Sequence, residues 1–297
     1  MGTNSIILAV VALIPAIALG IYIFVKDRVE KEPIGLLLLL AVAGALTCFP
    51  AAWGERLMYS LNDAIFSPFG YEKDGITYMS STAYFLYQVV QNFLCVALVE
   101  EGVKFLALYL ITHKNKNFNS LFDGVIYAVF VSLGFAALEN VKYAFNYGMD
   151  TALLRAFTAV PGHMFDGVLM GYFYTMWHLN NKCKTTEKNL IDNGWISRPK
   201  FNDSGKRELA FSLIVPVLAH GFYDFCCSYD SSFATIIFFA FLAGLYIYCF
   251  GKINKLSKLD RLDNDLAAAM IYKAHPGLFE RIVAAKQAQQ NTQYNNY

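Results

Sequence analysis

Residues 93–111 read FLCVALVEEGVKFLALYLI. The run has the length of a membrane-crossing helix, for which about 20 apolar residues suffice. It nevertheless carries Glu100, Glu101 and Lys104 near its middle. Each such residue at the centre of a spanning helix costs about 2.5–3.5 kcal/mol, so three facing lipid would cost about 8–10 kcal/mol. They must face protein, a water-filled cavity or each other, and the rest of the chain has to supply those surroundings.

The chain has 297 residues, 56% of them hydrophobic and 16% charged, with a mean hydropathy of +0.39. Its apolar residues come in long runs, which is the composition of a polytopic, all-α membrane protein. Seven spans are expected, at about 6–25, 34–53, 84–111, 120–147, 152–177, 209–227 and 233–250. The first reads as a retained helix. The fifth is interrupted by Pro161-Gly162, and Pro216 lies inside the sixth. Residues 55–81 read as an outer loop with a short interfacial helix. Ser120 followed by Asp123 fits a capping box at the start of the fourth span. Six cysteines form no CxxC pair, so they read as small buried residues.

Lys and Arg cluster after the first, third, fifth and seventh spans. The positive-inside rule then puts the N-terminus outside and the C-terminus in the cytoplasm. Two parts follow, a transmembrane helical domain at 1–255 and a cytoplasmic tail at 256–297. The tail has apolar residues at helical spacing, for an amphipathic helix on the membrane surface or against the cytoplasmic loops. Its polar end, 287–297, reads as disordered. A net charge of +1 gives no electrostatic footprint for nucleic acid, and none is expected as a partner.

His113, His178 and His275 fall at span ends or in the tail and read as interfacial or solvated. His163 and His220 fall inside spans, each with an acid on its own helix face, Asp166 three residues on and Asp224 four residues on. Glu100 and Lys104 are an (i, i+4) pair, and Glu101 points about 100° away around the helix. One carboxylate can then be held by Lys104 while the other is free to take a proton. Glu139 and Asn140 add polar groups to the fourth span. Gly167 and Gly171 are spaced for close helix packing. These depths let Glu100, Glu101, Glu139, His163 and His220 share one cavity between the third to sixth helices.

Cleaving a peptide bond there needs water, a base and a partner for the oxyanion. A carboxylate can take the proton from water, and a histidine or Asn140 can hydrogen-bond the oxyanion. Alternatively, His163 and His220 bind Zn2+ with a carboxylate such as Glu101 as third ligand, leaving a position for water. No HExxH is present. Intramembrane Glu, His and Asp also build proton relays, so a proton-coupled secondary transporter is a rival, and a non-catalytic receptor or scaffold is another.

Four stretches, EEGVK at 100–104, FDGVIYAVFVSLGFAALENVKYAF at 122–145, GHMF at 162–165 and HGFYDF at 220–225, resemble the PrsW family of intramembrane proteases, related to the CAAX-prenyl protease and bacteriocin-processing superfamily. The resemblance implies an intramembrane endopeptidase of a bacterial plasma membrane. Glu100, Glu101, His163 and His220 would be its catalytic set, supported by Glu139, Asn140, Asp224, Lys104 and Asp166. The family is viewed as either metal-dependent or glutamate-type, which leaves zinc open. Its substrates would be single-pass membrane proteins such as anti-sigma factors.

Overall fold

The computed structural model describes residues 3–73, 76–201, 204–229 and 231–294. In chain order come α1 (Thr3–Lys26), α2 (Ile34–Phe66), a hairpin of β1 (Gly70–Lys73) and β2 (Ile76–Met79), α3 (Ser81–Val90), a π-helical stretch (Gln91–Ala97) and α4 (Leu98–Thr112). Then follow α5 (Asp123–Tyr147), α6 (Met149–Phe157), α7 (Ala159–Asp192), α8 (Lys206–Ser228), α9 (Ser232–Leu259), α10 (Asp263–Ala274) and α11 (Leu278–Tyr294). Gly75 of the connection 55–81 and residues 295–297 lie outside the described residues.

The all-α membrane architecture is as expected. Among the described residues, α1, α2, α5, α8 and α9 are long and apolar enough to cross a membrane. Their outward apolar side chains, such as Ile17, Leu38, Leu218 and Ile247, are exposed, as lipid-facing positions must be. The backbone stays helical from Ser81 to Thr112, with a π-helical stretch between α3 and α4. The connection 55–81 holds the expected short helix, a 3-10 turn at Ser67–Phe69 that follows α2, and beyond it an antiparallel hairpin in place of an open loop, with Gly70 opposite Met79 and Tyr71 stacked on Tyr78. Alternating Tyr71 and Tyr78 on one face explains the pairing.

α5 is the central post. Of its apolar window 72% is buried, against 22% for α1 and α9. Glycine brings its neighbours in. A Cβ at Gly44 on α2 would meet Val131 O at 1.9 Å, and one at Gly134 on α5 would meet Ala41 O at 1.9 Å. α2 and α5 therefore touch backbone to backbone. α7 docks on the other side of α5 through Gly167 and Gly171. Asp123 ties the start of α5 by accepting from Ser120 N at 2.6 Å and Asn119 N at 2.8 Å, but the helix is capped at Phe122 with Asp123 as its first residue, so this is not the capping box that the spacing suggested.

The fifth expected span divides differently from its sequence. Gly148 (φ 89°) starts α6, and the break falls at Thr158. Pro161 then sits in the first turn of α7, where its missing N–H costs nothing. The C-terminal part folds onto the long C-terminal extension of α7. Leu179, Cys183 and Ala267 form one small core, and Ile196, Ile271 and Leu278 another. His178 donates to Asp263 at 3.0 Å and His275 to Glu187 at 2.5 Å, so these two histidines are clamps rather than solvated groups. The polar run 287–294 continues α11 as helix. Four of the six free cysteines are buried, and Cys227 is exposed.

Candidate active site

α4 brings Glu100, Glu101 and Lys104, α5 brings Glu139, α7 brings His163 and Asp166, and α8 brings His220 and Asp224. Glu100, Glu101, His163 and His220 are all buried, and one ligand atom from each lies within 4.8 Å of the others. The rings of His163 and His220 meet edge to face with centroids 5.2 Å apart.

Lys104 is wholly buried at the centre. Its Nζ donates to Glu101 Oε1 at 2.7 Å, to Glu100 Oε2 at 3.3 Å and to His163 Nδ1 at 3.3 Å. It also lies 3.9 Å from the Phe135 ring centroid. The ammonium thus holds both carboxylates, where spacing alone suggested one. At three residues apart Glu101 still reaches it, because Lys104 has a long, flexible stem.

Each histidine is oriented by a carboxylate. His163 Nε2 donates to Glu139 Oε2 at 2.9 Å, which turns Nδ1 towards Lys104 and the glutamates. His220 Nδ1 is 2.8 Å from Glu101 Oε1, and its Nε2 is 3.2 Å from Asp224 Oδ2. Asp224 therefore serves its own helix's histidine, as its spacing suggested. Asp166 does not pair with His163. It lies 3.9 Å from His220 Nδ1 instead. Asn140 is turned out of the group altogether. Its Nδ2 donates to Ala12 O on α1 at 2.9 Å, an interhelical tie with no line to an oxyanion.

These residues border a cavity of about 820 Å³. Glu100, Glu139, His163, Asp166, His220 and Asp224 form its inner wall. Glu101 is not on that wall and is wholly buried behind it. On the outer side Glu55 and Tyr59 of α2, Lys142 and Tyr143 of α5, and Arg155 of α6 complete the enclosure. Sequence reasoning passed over all five. Arg155 is the most consequential, since its Nη2 donates to Glu139 Oε2 at 2.5 Å. Its signal, a lone arginine between two apolar runs, is that of an ordinary loop charge.

A sequence model of the family described as PrsW family intramembrane metalloprotease matches residues 32–249. The chain belongs to this family. A Protease PrsW of Oceanobacillus iheyensis is 30% identical over 244 residues, covering 82% of this chain and 93% of the relative. That of Clostridioides difficile is 30% identical over 264 residues, covering 86% and 92%. That of Bacillus subtilis is 28% identical over 213 residues, covering 71% and 78%. No solved structure matches the chain. As a PrsW family member the protein is an integral membrane protein and an intramembrane peptidase, and the transporter and receptor readings fall away.

The family description names a metal, and the donor set fits one. Two imidazoles and two carboxylates converge, a mixture that suits a zinc-like cation. Glu101 Oε2 is buried with no hydrogen-bond partner among the described residues, a spare lone pair inside the group. The ammonium of Lys104 occupies three of the same donors, and its flexible stem is what a bound cation would displace.

Proposed function

We propose that the protein hydrolyses peptide bonds of single-pass membrane proteins, of the anti-sigma-factor kind, in a bacterial plasma membrane, using Glu100, Glu101, His163 and His220. The observation that carries the reading is the gathering of their four ligand atoms within 4.8 Å at the wall of a cavity in a lipid-embedded bundle. In this reading there are seven spans, the helical rod 81–112 and the first part of α7 joining the five apolar helices. The N-terminus is outside and the C-terminus cytoplasmic, with 1–255 as the catalytic part and 256–297 as the cytoplasmic tail. The cavity then lies between the third to sixth spans, towards the outer half of the bilayer.

Glu100 is the general base, because it borders the cavity while Glu101 is sealed behind it. Water in the cavity attacks the scissile carbonyl carbon and gives a proton to Glu100. Glu100 passes that proton to the amide nitrogen as the C–N bond breaks. The products are a carboxylic acid and an amine, which exchange the remaining proton to become a carboxylate and an ammonium. Glu139 and Asp224 hold the two imidazoles in place through the ring nitrogens they face. His163, His220 and Glu101 would hold Zn2+, which when bound supplies Lewis acidity to the carbonyl and acidity to water.

A second, metal-independent reading has its own support. The Lys104 ammonium already supplies positive charge at 2.7 Å from Glu101 and 3.3 Å from His163. Metal analysis of purified protein beside His163→Ala separates the two. Stoichiometric zinc lost in the variant favours the first, and zinc absent from both favours the second. The proteolytic reading is tested by expressing Glu100→Ala, Glu101→Ala, His163→Ala and His220→Ala with a single-pass test substrate. Full cleavage by all four would end it.

A further inference from the structure

Arg155 is the only residue of α6 that reaches the catalytic group among the described contacts. One oxygen, Glu139 Oε2, accepts both from Arg155 Nη2 at 2.5 Å and from His163 Nε2 at 2.9 Å. The guanidinium carbon lies 3.9 Å from the Tyr143 ring centroid, so the group is held by an aromatic ring as well as by the carboxylate. Its Nε is buried and has no partner among the described residues, so the ion pair with Glu139 is what the group is placed for.

The helix that carries it is separate from the posts around it. α6 has nine residues, with Gly148 at φ 89° before it and Thr158, off helical geometry, after it. Ala152 packs with Ala12 and Ala144, while Leu154 and Phe157 are exposed. Leu154, Arg155 and Thr158 border the cavity. α6 is thus an outer wall of the cavity with a single charged reach inward.

We propose that Arg155 is a positioning residue for peptide-bond hydrolysis. By fixing the Glu139 carboxylate it holds the His163 ring with Nδ1 towards Glu100 and Glu101, and it makes that orientation depend on the seating of α6. The inference rests on the catalytic reading of His163 given above. An imidazole that loses its carboxylate orienter typically loses 10–100-fold in activity.

The test uses the full-length protein in detergent, with Arg155→Met, Arg155→Lys and His163→Gln beside wild type. Three quantities are read, the kinetics on a single-span test substrate, the ring 15N shifts of His163 in histidine-labelled protein and the unfolding temperature. Arg155→Met should lower kcat by about 10–100-fold with KM changed less than about threefold, and should move the His163 shifts. Arg155→Lys, which keeps the charge and one hydrogen bond, should recover most of both. Wild-type kcat together with unmoved His163 shifts in Arg155→Met overturns the proposal. So does Arg155→Lys as impaired as Arg155→Met with an equal fall in unfolding temperature, which is the mark of a structural role only. Cleavage that persists in His163→Gln instead removes the catalytic reading, while the nitrogen shifts still decide whether Arg155 holds the ring.

Discussion

Replacing Lys104 by methionine keeps the volume and removes the charge at the heart of the buried group. In the metal-free protein the ammonium is 2.7 Å from Glu101 and 3.3 Å from Glu100. At an effective dielectric constant of about 20, these separations correspond to gross attractions of about 6 and about 5 kcal/mol. Most of that is offset by the cost of burying the charges. Removing one partner of a buried pair is nonetheless expected to cost about 3–5 kcal/mol, because the other is stranded. Lys104→Met should therefore lower unfolding free energy by that amount in chelator-treated, detergent-solubilised protein, followed by denaturant titration. Adding Glu101→Gln should return about half of the loss, since one of the two stranded carboxylates is then gone. Lys104→Met as stable as wild type, or a double variant whose losses simply add, would refute the picture of one ammonium balancing two carboxylates.

Asn140→Ala should cost only about 0.5–1.5 kcal/mol of stability and leave cleavage intact, because Asn140 ties α5 to Ala12 rather than serving the site; a rate assay beside a melt checks both halves. Gly134→Ala would put a methyl 1.9 Å from Ala41 O, so α2 and α5 must part, and a loss of about 1–3 kcal/mol or more is expected in the same denaturant titration. Stability should also fall as pH rises from about 4.5 to about 8. Burial first, and the Asp123 carboxylate second, push the Glu32 carboxyl up to about 8, so the folded chain keeps a proton that the unfolded chain has lost. Asp27, pushed up to about 6 by burial, acts in the same direction over a lower window. Glu32→Gln should flatten the slope between pH 6 and 8 in melting curves.

The catalytic candidates were legible because lipid forbids unpaired polar groups. Glu100, Glu101, His163 and His220 stand out in apolar runs, and only a shared polar interior accommodates them all. The same reasoning found Asp224, whose partner is on its own helix face. Partners on other helices were beyond its reach. Nothing in the spacing of Asp166 says that it faces His220 rather than His163. Nothing in Asn140 says that it turns to α1, or in Arg155 that a short helix aims it at Glu139. The fold shows the same division. Apolar length found α1, α2, α5, α8 and α9, whereas the break at Thr158 and the hairpin at 70–79 depend on packing and pairing that hydropathy does not record.

The glycine crossings set where the bundle can give and where it cannot. Where main chains abut, as α2 and α5 do at Gly44 and Gly134, no rotamer change can open a slit. The seam between α5 and α7 is shut in the same way at Gly124 and Gly171. Both sides of the central post are therefore held by main chain rather than by side chains. The joint between α6 and α9 is of another kind, Tyr246 donating to Phe157 O, a contact that a side-chain rotation can release.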